Sequence, residues 1–262
     1  MIVECTSKDI DKVLDYIHDD YGKCLYMYID LKKYGLDNEN FRVWIQNDDD
    51  GICSVISKYY NGIQIYSRSN DLIIDEIIEF IKEHNPTMVS GMKETIDGIR
   101  DFLPGYEKEI GTVARLNKLT YPPNPDAYLA PFEELEEIAH VIAQDEALGK
   151  PYGYELLYEQ YCERKKYKFG RNYILRDEDT DEIICHAATY AELSNLGVLS
   201  GVLTTPKYRG KGFSKGTLAA LSKELLCENK DVFSYFYIPA AERMHYGIGF
   251  EKIGDWEKLT PE

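Results

Sequence analysis

The stretch "GVLTTPKYRGKGFSKG", Gly201 to Gly216, passes from an apolar, strand-like run into a glycine-rich basic segment. After it, leucines recur every three or four residues, which predicts a helix. A strand that enters a helix through such a turn directs backbone N–H groups and the positive end of the helix dipole at one place. Lys207, Arg209, Lys211 and Lys215 add positive charge there. The segment therefore predicts an anion site, in a chain whose formal net charge is -16.

Two common phosphate-binding motifs are excluded. "GKGFSK" has a lysine where the dinucleotide fingerprint requires its third glycine, and no part of the chain matches G-x-x-x-x-G-K-[ST]. The loop therefore indicates neither a Rossmann dinucleotide site nor a P-loop.

Composition excludes further classes. An acidic surface repels phosphate backbones and anionic lipid headgroups, so we expect neither a nucleic-acid nor a membrane partner. No apolar run of about 18 residues occurs, and the N-terminal residues lack the pattern of a signal peptide. Six scattered cysteines without a C-x-x-C pair indicate reduced thiols, and we expect a cytoplasmic protein. The five histidines have no metal-ligand spacing, so we expect no metal site.

The order of elements repeats. The stretch "YPPNPD", Tyr121 to Asp126, has three prolines that favour a linker and divides the chain into predicted domains 1–121 and 126–262. Hydrophobic periodicity predicts the same order in both: two helices, a three-strand meander, then helix, strand, helix and strand. The predicted fold class is α/β (α+β).

The loop resembles the acyl-CoA loop of the GNAT superfamily of N-acetyltransferases, whose motif is [Q/R]-x-x-G-x-[G/A]. Arg209 and Gly212 fill the first two defined positions, and Ser214 replaces the small third residue. "AAERMHYGIGF" is similar to the superfamily's A-x-x-x-Y-x-x-x-G-F segment. The resemblance implies two GNAT-like domains, each a mixed central sheet flanked by helices. The first would be degenerate, because it has only "SRSND", Ser67 to Asp71, at the place of the loop.

The function that the resemblance implies is acetyl-CoA-dependent N-acetyl transfer to a primary amine of a small molecule or peptide, by direct attack. It implies that backbone groups of 202–204 contact the pantetheine arm and that the loop cradles the pyrophosphate. The implied cofactor-binding residues are Val202, Leu203, Thr204, Arg209, Gly210, Lys211, Gly212, Phe213, Ser214 and Lys215.

The catalytic residues are less well defined. The superfamily's tyrosine commonly protonates the leaving thiolate, but the motif register places His245 in that position and Tyr246 next to it. Both stay candidates for the general acid. Glu192 is a candidate relay for the amine proton, although a solvated loop carboxylate is the more common reading. His186 lies in a predicted strand and faces either the cleft or a hydrogen-bonded core position.

Two other functions stay open. Histidine in the tyrosine position favours a non-catalytic acyl-CoA-binding or regulatory module. Aminoacyl transfer from charged tRNA, which some tandem relatives perform, is opposed by the net charge of -16. The oligomeric state is also open, with a homodimer as one option.

Overall fold

A computed structural model describes the whole chain, residues 1–262. The chain forms two compact units, the first of residues 1–113 and 253–262 and the second of residues 114–252. No helix is both long enough and apolar enough to cross a bilayer.

The first unit begins with a short strand and two helices, followed by a meander. Its elements in chain order are β1 Ile2–Glu4, α1 Ile10–Ile17, α2 Leu25–Tyr34, β2 Phe41–Asn47, β3 Ile52–Tyr59, β4 Gly62–Tyr66, α3 Ile74–His84, β5 Met88–Met92, α4 Lys93–Arg100 and β6 Tyr106–Leu116. Strands β1 to β4 pair antiparallel in sequence order, and β5 pairs with β4 in parallel.

Alternating residues of these strands supply two cores. Val55 of β3 packs with Val13 and Ile17 of α1, whereas the next residue, Ile56, packs with the isoleucines of α3 and α4. This alternation follows from the two-residue period of a strand, which sends neighbouring side chains to opposite faces. Helices therefore cover both faces of the sheet.

The second unit contains the segment that carries the loop. Its elements are β7 Tyr128–Leu129, α5 Leu135–Ala143, α6 Tyr154–Lys166, β8 Asn172–Arg176, β9 Ile183–Glu192, β10 Leu196–Thr204, α7 Phe213–Cys227, β11 Asp231–Phe236, α8 Pro239–Tyr246 and the start of β12 Phe250–Pro261. Strands β7 to β10 are antiparallel, and β11 lies parallel to β10. Leu218, Leu221 and Leu225 of α7 are fully buried against the sheet.

The predicted element order and the α/β class are confirmed, with one short strand, β7, that the sequence pattern missed. The unit boundaries differ from the predicted ones. "YPPNPD" has neither helix nor strand, but the division of contacts falls at 113/114, inside β6. The last ten residues belong to the first unit, because Trp256 to Leu259 of β12 pair antiparallel with β5. Trp256 and Leu259 are almost completely buried there.

Candidate active site

The parallel strands β10 and β11 pair only over part of their length. Leu196 to Leu199 pair with Asp231 to Ser234, and no pairing is found beyond this point. Yet β10 continues to Thr204 and β11 to Phe236. Between Ser200 and Thr204, one edge of β10 therefore presents backbone N–H and C=O groups that no strand satisfies. We call this unpaired part of β10 and β11 the slot; its β10 side ends at the glycine-rich loop.

A bulge lies where the slot begins. The pairing of β10 with β9 changes register between Ser200 and Leu203, and Gly201 has a φ of 58°. Glycine takes this left-handed conformation without the penalty that a Cβ brings. His186, which is only 1% exposed, donates from Nδ1 to the Gly201 carbonyl over 2.7 Å. Its other ring nitrogen lies 2.9 Å from the side-chain amide of Asn172. His186 thus holds the bulge in place. Of its two predicted positions, facing the cleft or hydrogen-bonded in the core, the structure has the second.

The loop between β10 and α7 has the geometry of an anion cradle. Gly210 and Gly212 have φ values of 79° and 84°, and α7 begins at Phe213 with no side-chain cap. The backbone N–H groups of 210–214 donate no hydrogen bond within the chain. A Cβ on Gly210 would meet no atom within 4 Å, so the backbone there is open to a ligand. Unsatisfied N–H groups at a helix N-terminus bind phosphate readily, and the residues present fit a phosphate group.

The four basic residues of the loop are not equivalent. Lys207 forms an ion pair of 2.9 Å with Glu182, and Arg209 lies 3.3 Å from Asp145. Arg209 also donates from Nε to the carbonyl of Thr204, which fixes the end of β10. Lys211 and Lys215 have no carboxylate partner and lie over aromatic rings instead. Their charges are therefore the ones available to an anion.

The strand residues predicted to contact the pantetheine arm lie along the slot. Leu203 packs its side chain among the residues of α5 and α6, and Thr204 donates its hydroxyl to the Sγ of Cys185 over 3.5 Å. Val202 is partly exposed. Because two of these side chains are engaged elsewhere, a ligand in the slot would meet mainly their backbone groups.

His245 lies at the closed end of the slot. Its Nε2 is 2.9 Å from the hydroxyl of Ser234, the last residue of β11 that pairs with β10. Its Nδ1 donates to the carbonyl of Ala241 over 2.7 Å, so in the neutral ring Nε2 accepts from Ser234. The ring is 4% exposed and stacks on Phe236 at 4.8 Å. Burial lowers the pKa of His245 to about 4, so the ring is neutral near pH 7.

Tyr246 has a different environment. It is 37% exposed, and its ring meets the edge of Phe236 at 5.7 Å. Since Phe236 is the last residue of β11, Tyr246 also lies beside the open part of the slot. Both candidates for the general acid are therefore close to the slot. They differ in that both ring nitrogens of His245 already contact protein groups.

Glu192 lies far from the loop along the strand. It pairs with Gly197, near the start of β10, and not with the end that carries the loop. Its carboxylate accepts from Arg171 and Lys230, both at 2.6 Å, and from the Thr189 hydroxyl. Although burial opposes it, these partners lower the pKa of Glu192. Both oxygens of this carboxylate are thus bound by cationic or hydroxyl groups of the protein. This geometry does not support the hypothesis that Glu192 relays the amine proton.

The first unit has no comparable slot. Its equivalent strands, β4 and β5, pair from Gly62 to Ile65 with Met88 to Gly91, almost to their ends. A Cβ on Gly91 would lie 2.6 Å from the carbonyl oxygen of Ile65, which shows how closely the strands approach. Strands β4 and β5 thus remain hydrogen-bonded almost to their ends, whereas β10 and β11 stop pairing before theirs.

Sequence reasoning missed two groups beside the slot, Ser234 and the phenol of Tyr121. Oη of Tyr121 is 3.8 Å from the place a Cβ would take on Gly212. Ser234 belongs to no motif, and Tyr121 drew attention only as the first residue of the proline-rich stretch "YPPNPD". Gly201 did carry a signal, because a glycine within a strand commonly marks a bulge.

Comparisons with known proteins place this geometry in a fold family. No family model and no curated protein matches the sequence. Among solved structures, a GCN5-related N-acetyltransferase from Sphaerobacter thermophilus has a TM-score of 0.65 at 14% identity, covering 99% of this chain and 94% of its own. A GNAT-family acetyltransferase from Colwellia psychrerythraea has a TM-score of 0.64 at 12% identity, with 100% of both chains covered.

A tandem GNAT protein from the clavulanic acid biosynthesis pathway matches over the same extent. Its TM-score is 0.61 at 11% identity, and the match covers 100% of this chain and 98% of that one. Identities this low establish a fold and leave substrates open. The chain therefore has the GNAT fold over its whole length, as the resemblance of its glycine-rich loop predicts.

Proposed function

We propose that this chain is an N-acetyltransferase that uses acetyl-CoA, bound in the second unit, to acetylate a primary amine. The observation that carries the proposal is the slot between β10 and β11, which leads to an uncapped helix N-terminus with two glycines at positive φ. A slot lined by backbone groups suits an extended amide-containing arm, and the cradle suits a pyrophosphate. The cofactor would supply an activated acetyl thioester.

The residues that would hold the cofactor are those with unpaired backbone groups in the slot and the cradle, together with the two lysines that have no carboxylate partner. Backbone groups of 202–204 would pair with the arm, and the N–H groups of 210–214 would bind the phosphates with Lys211 and Lys215. Arg209 would act indirectly, because its guanidinium already binds Thr204 and Asp145. It holds the loop in place.

We propose Tyr246 as the group that protonates the departing sulfur. His245 is neutral near pH 7 because its pKa is about 4, and its Nδ1 proton is held by Ala241. The Nε2 atom, which lies against Ser234, therefore carries no proton that could pass to the sulfur at this pH. His245 would instead hold Ser234 and the wall of the slot in position. The phenol of Tyr246 is partly exposed and lies beside the open part of the slot.

The acceptor is proposed to be cationic before it loses a proton. The reaction needs an amine, and a chain with a net charge of -16 attracts cations at long range. Direct attack requires the neutral amine, so the proton must leave before or during transfer.

A second candidate function, a non-catalytic acyl-CoA-binding module in the cytoplasm, is favoured by the occupied ring of His245. The deciding experiment is thioester turnover with a panel of polyamines, aminoglycosides, amino acids and peptides. Release of free thiol that depends on an amine supports the enzyme. Tight binding of CoA without turnover by any amine supports the module.

We expect one molecule of CoA to bind per chain. The slot occurs in the second unit, whereas β4 and β5 of the first unit stay paired. Isothermal titration calorimetry should therefore give a stoichiometry near one. Two sites of similar affinity would contradict the hypothesis that the first unit is a degenerate copy without a cofactor site.

We expect Tyr246→Phe to lower kcat about 100-fold, the usual contribution of a general acid. With saturating acceptor, kcat of the parent should show no decline between pH 6 and pH 8, because His245 titrates near 4. A matched control is Tyr237→Phe, which alters a tyrosine of similar exposure next to β11. A falling limb centred near pH 6.5 that disappears in His245→Gln would return the role of acid to His245.

A further inference from the structure

The proline-rich segment that follows β6 is anchored against the cradle. The N–H of Thr120 donates to the carbonyl of Ile248 over 3.0 Å, and the N–H of Asn124 donates to the carbonyl of Gly216 over 3.0 Å. Gly216 lies in the first turn of α7, and a Cβ there would come within 2.9 Å of the Asn124 side chain. The segment between these two anchors is therefore held in contact with the start of α7.

Tyr121 lies between the two anchors, beside Gly212. Its ring is partly buried against the core that contains α7. The ammonium of Lys215 lies 5.8 Å from the centre of this ring. The Tyr121 hydroxyl is the nearest atom to an added Cβ on Gly212, at 3.8 Å. It has no hydrogen-bond partner within the chain.

The surroundings of Tyr121 thus hold two further kinds of donor: the free N–H groups beside Gly212, near its hydroxyl, and the ammonium of Lys215, 5.8 Å from its ring centre. Tyr121 comes from outside the motif, about 90 residues earlier in the chain. The absence of a side chain at Gly212 leaves room between the phenol and the backbone. A phosphate oxygen that accepts from the backbone there would also be within reach of the phenol.

We propose that Tyr121 is a further cofactor-binding residue, which donates its phenolic proton to the pyrophosphate held at the start of α7. This inference rests on the proposed function, because it takes CoA as the ligand of the slot. Hydrogen bonds from a neutral donor to a charged acceptor are stronger than neutral ones. The segment that links β6 to β7 is then part of the binding site.

The test is calorimetric titration of the full chain with CoA and with 3′-dephospho-CoA, which keeps the pyrophosphate and lacks the 3′-phosphate. Tyr121→Phe removes only the hydroxyl, so the packing of the ring is kept. We expect it to weaken the binding of both ligands by about 10-fold, the effect of one hydrogen bond to a charged group. Tyr152→Phe, which alters a tyrosine that is 56% exposed in the α5–α6 connection, should leave both affinities unchanged.

Each outcome decides the inference. Equal weakening of both ligands in Tyr121→Phe supports it. Unchanged affinity, or a loss confined to CoA, overturns it, because a loss confined to CoA would mean contact with the 3′-phosphate. If the parent chain binds neither ligand, the proposed function fails as well. If the parent binds and only the Tyr121 variant shows no loss, the proposed function stands without this contact.

Discussion

Gly212→Asp is expected to abolish CoA binding, with a loss of affinity of about 100-fold or more. Gly212 has a φ of 84°, where a side chain is strained, and it precedes the first residue of α7. An aspartate there would place a negative charge beside the N–H groups that would otherwise bind phosphate. It would also fill the space between the backbone and Tyr121, because the nearest atom to its Cβ is the Tyr121 hydroxyl. Calorimetric titration with CoA measures the effect.

Gly105→Asp is the matched control. Gly105 has a φ of 83°, and a Cβ there would meet no atom within 4 Å, as in the open part of the cradle. The control therefore introduces the same charge and nearly the same backbone strain in a turn of the first unit. We expect it to bind CoA with the affinity of the parent. Equal affinities of the Gly212 variant and the parent would refute the assignment of the cradle, provided that both fold.

The fold could be predicted because its local signals agree. Periodicities of two and of three to four residues marked the strands and helices, and turn residues marked their ends. The glycine-rich loop added a motif in which Gly210 and Gly212 have the backbone conformation that glycine favours. Each of these signals lies within a short stretch of sequence. They therefore needed no knowledge of distant contacts.

The remainder depended on contacts between distant residues. The pairing of Trp256 to Leu259 with β5 joins segments about 165 residues apart, and no local pattern encodes it. The burial of Glu192 and its ion pairs depend on distant residues for a similar reason, because Arg171 and Lys230 come from other parts of the chain. The state of His245 likewise depends on Ser234 and on burial. A motif register gives the position of a side chain but not its hydrogen bonds.

Acid is expected to destabilise the second unit through two buried histidines. Burial lowers the pKa of His186 and of His245 to about 4, from 6.5 in an exposed histidine. Above pH 6.5 both the folded and the unfolded chains are neutral at these sites. Between pH 6.5 and pH 4 only the unfolded chain takes up these protons, so the free energy of unfolding decreases as the pH is lowered. Each histidine then costs about 1.4 kcal/mol per pH unit, or about 4 kcal/mol for the pair at pH 5.

One carboxyl group acts in the opposite direction. Burial raises the pKa of Asp30, in the first unit, to about 7 from 3.8. The folded chain therefore binds this proton before the unfolded chain does, and stability contributed by Asp30 rises as the pH falls below 7. The free energy of unfolding of the parent alone would contain the opposing contributions of Asp30 and of the two histidines. The difference between the parent and a histidine variant removes the part due to Asp30.

The measurement is urea unfolding of the parent and of His245→Gln at pH 7 and pH 5. The variant is expected to be less stable at pH 7, since it loses the stacking on Phe236 and the bond to Ala241. Between the two pH values, however, its free energy of unfolding should fall by about 2 kcal/mol less than that of the parent. Identical slopes in His245→Gln and the parent would mean that the pKa of His245 is the same in the folded and unfolded chains. Part of the folded protein would then carry an imidazolium near pH 6.5, and His245 would again be a candidate for the general acid.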